Sequence, residues 1–193
     1  MNIPTDKPVI LAICGASATG KTQLSRWLAD DLFAKKFKVH RIVSDTTRPI
    51  RKNEIPGVDY NFVSENLFAE REHLETSCFN SWWYGTPTAQ IFPGLNVGVF
   101  NAEGMKSLLD YRRKYHIIPI YLKEKPVVRL RRSYDREGKW KLEYFRRLVA
   151  DKKDFKNFEK FFLPLFPQMI LLNNIDGVVR KTQIIYKQLE CIF

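Results

Sequence analysis

The segment GASATGKT, Gly15 to Thr22, fits the pattern G-x-x-x-x-G-K-[ST]. It follows PVILAIC, Pro8 to Cys14, a run without a polar side chain that reads as a strand buried on both faces. After it, Lys21 to Lys35 repeats Leu24, Trp27, Leu28 and Leu32 at helical spacing. A glycine-bearing turn between a buried strand and a helix leaves backbone N–H groups converging on one point, where the helix N-terminus also favours negative charge. Gly15, Ser17, Ala18, Thr19 and Gly20 therefore read as a cradle for the phosphates of a nucleoside triphosphate. Lys21 offers a point charge to the β- and γ-phosphates, and Thr22 a hydroxyl to Mg²⁺.

The rest of the chain supplies the sheet such a loop requires. KVHRIV, NVGVF, HIIPIYL and QMILLNN read as further strands. A helix is expected from about Ala102 to Arg113, and another carries Val178, Ile185, Leu189 and Ile192. Strands alternating with helices imply an α/β fold, a P-loop NTPase three-layer sandwich with a parallel central sheet. The 193 residues suit a single domain, 1–193, with its core in 1–44, 93–123 and 161–193. Residues 45–92 break the alternation with turns and short strand-like pieces, DYNFV and SCFN, while 124–160 are charged and helical. Both read as insertions over the carboxyl ends of the strands, where open α/β sheets bind ligands.

Charge narrows the ligand. The formal net charge is +11, and between Lys123 and Lys160 there are 14 Lys or Arg against seven Asp or Glu. An excess concentrated on one fifth of the chain argues for a local phosphate site, with a basic solvated helix as the rival. No recognition motif accompanies the charge, so specific nucleic-acid binding is not expected. No apolar run approaches the ~20 residues of a membrane span. The start lacks the order of a secretory signal and the three cysteines are scattered, so no membrane association and a cytoplasmic location are expected. His40, His73 and His116 form no cluster and read as strand or surface histidines.

A second polar cluster, SDTTRPIRKNEIPGVDYNFV, begins at Ser44. Arg48 and Arg51, three apart with Tyr60 nearby, suit bidentate and hydroxyl contacts to a phosphate monoester. The stretch resembles the nucleoside monophosphate clamp of the guanylate kinase family, with Ser44, Arg48, Arg51, Glu54, Gly57, Asp59 and Tyr60 in register. LETSCFNSWWYGT is similar to the segment that places Glu75, Tyr84 and Thr86 on the acceptor's base and phosphate. NAEG resembles the family's D-x-x-G, LRRSYDRE and FRRLVAD its lid and following helix, and ILLNN the strand end beside the donor's adenine, at Asn173. The resemblance spans about residues 8–190. It implies an inserted monophosphate-binding subdomain at 45–92 and a lid with its following helix at 124–160. By it, Lys21, Arg48, Arg136 and Arg147 serve catalysis, Arg132 and Asn173 hold the donor with the loop, and Ser44, Arg48, Arg51, Tyr60, Glu75, Tyr84, Thr86 and Asn101 hold the acceptor. The implied reaction moves the γ-phosphoryl group of ATP, with Mg²⁺, to GMP or dGMP. Glu75 can accept from guanine's N1–H and 2-amino group together, a donor pair adenine lacks.

The chain departs from the family pattern where VFNAEG stands in place of D-x-D-x-x-G. Val99 leaves Mg²⁺ with fewer protein oxygens. Asn101 can offer an oxygen to an amino group, but its amide also donates, which would admit a base with a carbonyl there and relax (deoxy)nucleotide specificity. Alanine at 18 would be strained if the loop needs positive φ. Trp82 and Trp83 are expected in the core, with a widened stacking wall as the alternative. Two other functions are compatible with parts of the sequence: a kinase of a phosphorylated sugar, resembling ribose bisphosphate kinases, and a guanylate-kinase-like module that binds partner peptides. The intact clamp disfavours the first, and Lys21, Thr22 and the lid arginines the second.

Overall fold

The computed structural model describes residues 7–30, 39–52, 54–79, 81–138, 140, 142–175 and 177–192. Its central sheet has five parallel strands in the order β2-β7-β1-β8-β9: β1 (Val9–Gly15), β2 (Val39–Arg41), β7 (Leu95–Val99), β8 (His116–Lys123) and β9 (Ile170–Asn173). The apolar run of β1 is explained by its place in the middle. Val9, Leu11 and Ile13 face one layer with Leu24 and Leu28 of α1 (Lys21–Asp30) and Ile185 and Leu189 of a C-terminal helix. Ile10, Ala12 and Cys14 face the other, with Met105, Leu108, Phe158, Phe162 and Phe166. Period-two alternation between two covered faces leaves no position for a polar side chain.

Residues 45–92 build a second sheet, in the order β4-β3-β6-β5: β3 (Asp45–Thr46), β4 (Asn61–Phe62), β5 (His73–Phe79) and β6 (Trp82–Pro87). The helix α2 (Glu65–Glu70) starts at Ser64, whose hydroxyl accepts from the Leu67 amide. Asp45, fully buried, joins the pieces: its carboxylate accepts from Asn61 Nδ2 at 2.8 Å and Arg71 Nη1 at 2.9 Å and meets His73 Nε2 at 3.2 Å. His73 is thus a structural strand residue. Arg26 of α1 reaches across to Asp59 at 2.5 Å, and Arg41 of β2 donates to the Val58 carbonyl, so two core elements hold the loop before β4.

Helix α3 (Ala102–Ser107) is shorter than its pattern suggests and passes into a 3₁₀ turn, Leu108–Tyr111. The charged segment after β8 folds as α4 (Pro126–Glu137), opened by proline at its first position and ended by Gly138 in the left-handed region, and α5 (Leu142–Asp154). α6 (Phe158–Phe162) and α7 (Val178–Ile192) complete the two layers. Of the helix expected over Lys21 to Lys35, the part beyond Asp30 lies outside the described residues.

Trp82 and Trp83 are not in the core; they are 36% and 43% exposed. β6 registers with β3 at Tyr84 and Gly85. Trp83 is held beyond that by its backbone, its carbonyl accepting from the Thr47 amide at 3.1 Å and Thr46 Oγ1 at 2.9 Å and its amide donating to Thr47 Oγ1 at 3.0 Å. Its indole lies at the rim of the small sheet, 6.2 Å from the Phe68 ring.

At Gly15 the chain leaves the sheet with φ 143°, and an added Cβ would stand 2.3 Å from the Leu122 carbonyl oxygen of β8. Gly15→Ala is therefore expected to cost at least about 2 kcal/mol in urea denaturation, since backbone must move as well as twist. Gly138→Ala, with open space around the new methyl, is expected to cost only about 1 kcal/mol from its left-handed φ. Equal losses at the two positions would contradict the close approach.

Candidate active site

The turn from β1 into α1 forms the cradle. Ala18 has φ 61° and Gly20 φ 95°, so the strain foreseen for alanine at 18 is present. Thr19 Oγ1 donates to the Ala16 carbonyl at 2.9 Å, closing the loop on itself. Lys21 folds over the loop and donates to the carbonyls of Gly15 at 2.7 Å and Ala16 at 2.8 Å. Burial lowers the Lys21 ammonium from its ordinary 10.5 to about 8, with Asp151 opposing the shift. The same burial raises the Cys14 thiol beneath it, leaving a proton on sulfur. Thr22, in the first turn of α1, is exposed.

Two residues that sequence reasoning missed complete the loop. Arg129 of α4 donates from Nε to the Ser17 carbonyl at 2.9 Å and from Nη2 to the Asp151 carboxylate. Asp151 of α5 accepts from the Ser17 amide, each oxygen at 3.1 Å, and from Ser17 Oγ at 3.2 Å. A small pocket opens here, lined by Ser17, Ala18, Arg129, Ser133, Tyr144 and Arg147 among others. Lys181 of α7 is also buried, its ammonium 3.9 Å from where a Gly20 Cβ would lie. Only the basic character of 124–160 hinted at Arg129; nothing local in the sequence marks Asp151 or Lys181.

The second cluster assembles on the small sheet. Arg48, 5% exposed, donates to both oxygens of Glu54, at 2.8 and 2.6 Å, and Glu54 also accepts from the Arg51 amide at 2.8 Å. The bidentate bond raises the Arg48 guanidinium and lowers the Glu54 carboxyl. The Arg48 guanidinium lies 5.0 Å from the Tyr60 ring centre and 5.4 Å from that of Phe62, and the Tyr60 and Tyr84 rings are 5.8 Å apart. Arg48, Arg51, Glu54, Tyr60 and Tyr84 thus form one cationic, ring-walled group. The Arg51 side chain is exposed beside it.

A third group gathers beside α3. Thr86 Oγ1 donates to Glu75 Oε1 at 2.7 Å. Burial raises the Glu75 carboxyl, the Thr86 hydroxyl pulls it back, and Glu103 adds to the rise. A Cβ on Gly104 would lie 3.1 Å from Glu75 Cγ and 3.2 Å from Asn101 Oδ1, so both side chains converge on one glycine. Asn101 caps α3, its Oδ1 accepting from the Gly104 amide at 2.6 Å. That oxygen is engaged with backbone, which leaves the amide's donor as the new feature an Asn brings here.

The remaining expected residues are spread along the carboxyl edge. Ser44 is half-buried, its carbonyl accepting from the Asn61 amide at 2.9 Å. Arg132 of α4 pairs with Glu124 at 3.2 Å. Arg136 belongs to α4, and its side chain lies outside the described residues. Asn173 stands exposed at the end of β9. Among the described residues no helix is long and apolar enough to cross a membrane.

A glycine-bearing strand-to-helix turn on a parallel sheet, an arginine cluster on a second sheet and a pair of arginine-bearing helices suit a phosphotransferase of the nucleoside monophosphate kinase class, and the comparisons with known proteins show that class. The guanylate kinase family model matches residues 5–185, and the chain belongs to that family. It is 31% identical over 166 residues to a guanylate kinase of Wigglesworthia glossinidia brevipalpis, covering 80% of this chain and 78% of that one. It is 33% identical over 139 residues to one of Lawsonia intracellularis, covering 66% and 64%. The crystal structure of guanylate kinase from Anaplasma phagocytophilum superposes with a TM-score of 0.63 at 19% identity, covering 96% of this chain and 87% of that one, which shows the fold.

The Lys21 geometry makes opposite predictions for folding and binding. Between about pH 8 and 10.5 the unfolded chain holds a proton on this lysine that the folded chain does not, so its contribution to stability rises with pH. Phosphate binding needs the ammonium, so ATP affinity is expected to fall above pH 8 by up to about tenfold per unit. Calorimetric titration across pH 7–10 checks this, with Lys21→Arg expected to flatten the slope; a flat wild-type profile would contradict it.

Proposed function

We propose that the protein transfers the γ-phosphoryl group of ATP to GMP or dGMP. What supports this is that two groups with the chemistry to hold phosphates, the turn Gly15–Thr22 with Lys21 and the Arg48–Glu54 cluster beside Arg51, stand on elements tied by the Arg26–Asp59 ion pair between α1 and the loop before β4. Such a transfer has little covalent work for a protein to do; it needs the two phosphates held in line and their charge neutralised. Lys21 and the loop amides hold the donor's β- and γ-phosphates. Arg48 and Arg51, steadied by Glu54, hold the acceptor phosphate with the hydroxyls of Tyr60 and Tyr84. Arg132, Arg136 and Arg147 of the lid meet the transferring group and help exclude water.

The residues present suit Mg²⁺. Thr22 is exposed in the first turn of α1, and among the described residues no set of three His, Cys, Asp or Glu side chains could cage an ion. One hydroxyl with phosphate and water oxygens is a donor set this ion accepts. Thr22 would hold it, and the ion supplies charge neutralisation on the oxygens of the transferred group.

Base selection falls to Glu75, with Ser44, Thr86 and Asn101. Ionised Glu75 accepts from guanine's N1–H and 2-amino group, with Thr86 holding the carboxylate in place. Because Asn101 Oδ1 caps α3, its amide donor is available to a base carbonyl, which supports acceptance of nucleotides beyond GMP. Asn173 lies at the strand end expected beside the donor's adenine.

ADP formation measured against a panel of nucleoside monophosphates tests the proposal. GMP and dGMP are expected to be the best acceptors; no turnover of any of them with Mg²⁺-ATP would overturn it. Protection in thermal melting by GMP, and none by phosphorylated sugars, separates the sugar-kinase reading. Glu75→Gln is expected to lower kcat/KM for GMP by about 10- to 100-fold while the ATP KM holds, since one charge-assisted pair is lost. As burial raises the Glu75 carboxyl, GMP affinity is expected to fall on acidification before the exposed carboxylates titrate, a loss Glu75→Gln should remove.

A further inference from the structure

The family resemblance gives no role to Arg129 or to Asp151, the last residue of FRRLVAD, yet together they engage every polar group of Ser17. The amide and hydroxyl donate to Asp151, and the carbonyl accepts from Arg129. The two side chains bond to each other, and the residues are only 8% and 9% exposed. A buried ion pair is a poor device for stability alone, because desolvating both charges cancels most of their attraction. Here the pair is bonded to the backbone of the loop itself at Ser17, next to the strained Ala18 and four residues from Lys21. It also joins three elements, the loop, α4 and α5, that local sequence leaves independent.

Spacing adds a second consequence. Arg147 lies four residues before Asp151 on α5, hence on the same helix face. Arg147 lines the pocket above the loop with Ser17, Ala18 and Arg129. Fixing Asp151 to the Ser17 amide therefore fixes the helical turn from which Arg147 reaches that pocket.

We propose that Arg129 and Asp151 are positioning residues that register the lid helices on the phosphate loop, setting the Ser17 peptide for the donor phosphates and aiming Arg147 at the transferring group. This rests on the kinase reading given above. Neither residue needs to touch substrate. Their effect falls on transfer and on ATP, while the acceptor clamp on the small sheet keeps its own geometry.

Steady-state kinetics with ATP and GMP test it on Asp151→Asn, Arg129→Lys and the double variant, with Arg131→Ala as control. Arg131 pairs with Asp135 at 3.8 Å on the exposed side of α4 and is expected to leave activity unchanged. Asp151→Asn is expected to lower kcat about 10- to 100-fold with the GMP KM within about twofold of wild type, the size of effect that misplacement of a charged group produces. The double variant should be no worse than the poorer single one, because both break one unit. ATP hydrolysis without acceptor should rise relative to transfer as the lid loses register. A lower melting temperature with kcat unchanged per folded molecule would assign the pair a purely structural role and overturn the proposal. Tighter ATP binding by Asp151→Asn at unchanged kcat would also overturn it, making Asp151 an anion that nucleotide must displace. If the unsubstituted protein turns over no monophosphate, the kinase reading fails separately, and the Mg²⁺-ATP dissociation constant from melting decides: weakening of at least about fivefold in Asp151→Asn supports registration of the loop, and no change overturns it.

Discussion

Gly15 leaves β1 so close to β8 that its Cα faces the Leu122 carbonyl with no room for a methyl group. Everything at the donor side follows from that approach. The chain must turn out of the sheet there, and the amides of the turn have no strand partner to pair with. They are left directed at one point, at the start of α1, where helix polarity favours an anion. β1 is apolar on both faces because helices cover both, so the loop rises from a closely packed strand. A flexible platform would blur the cradle; this one is packed.

The arginines proposed to meet phosphates or to set the loop are themselves held by carboxylates of the protein. Glu54 binds Arg48 with both oxygens, and Asp151 binds Arg129 and the Ser17 amide. Concentrated positive charge, +11 over the chain, would otherwise splay these side chains apart. Each carboxylate fixes a guanidinium in one place before any ligand arrives, and preorganised charge is what phosphoryl transfer most requires. The two clusters sit on different elements, so donor and acceptor geometry can be set independently and brought together by the lid and the small sheet.

What was legible in the sequence was what is local. The strand, loop and helix at Val9 to Asp30 are written in consecutive residues, and the clamp from Ser44 to Tyr60 is nearly so. Glu75, Tyr84 and Thr86 were legible through their family spacing, and the β5–β6 pairing brings them onto one sheet. The tryptophans were misjudged because burial depends on what covers the rim of the small sheet, which composition does not reveal. The change of α3 into a 3₁₀ turn after Ser107 is likewise marked by no residue of the segment itself. Arg129 and Asp151 were invisible for a stronger reason. They meet Ser17 across 112 and 134 positions, and each reads alone as one charge among many on a solvated helix.

The account's central claim is that one cleft holds two nucleotides with their phosphates end to end. Binding of adenosine and guanosine joined through five phosphates measures this most directly, by calorimetry beside ATP and GMP alone. Linked ligands that engage both groups at once gain affinity over either part, and a gain of at least about 100-fold is predicted. An affinity no better than that of ATP would show that the two phosphate groups do not face one another, and would contradict the account.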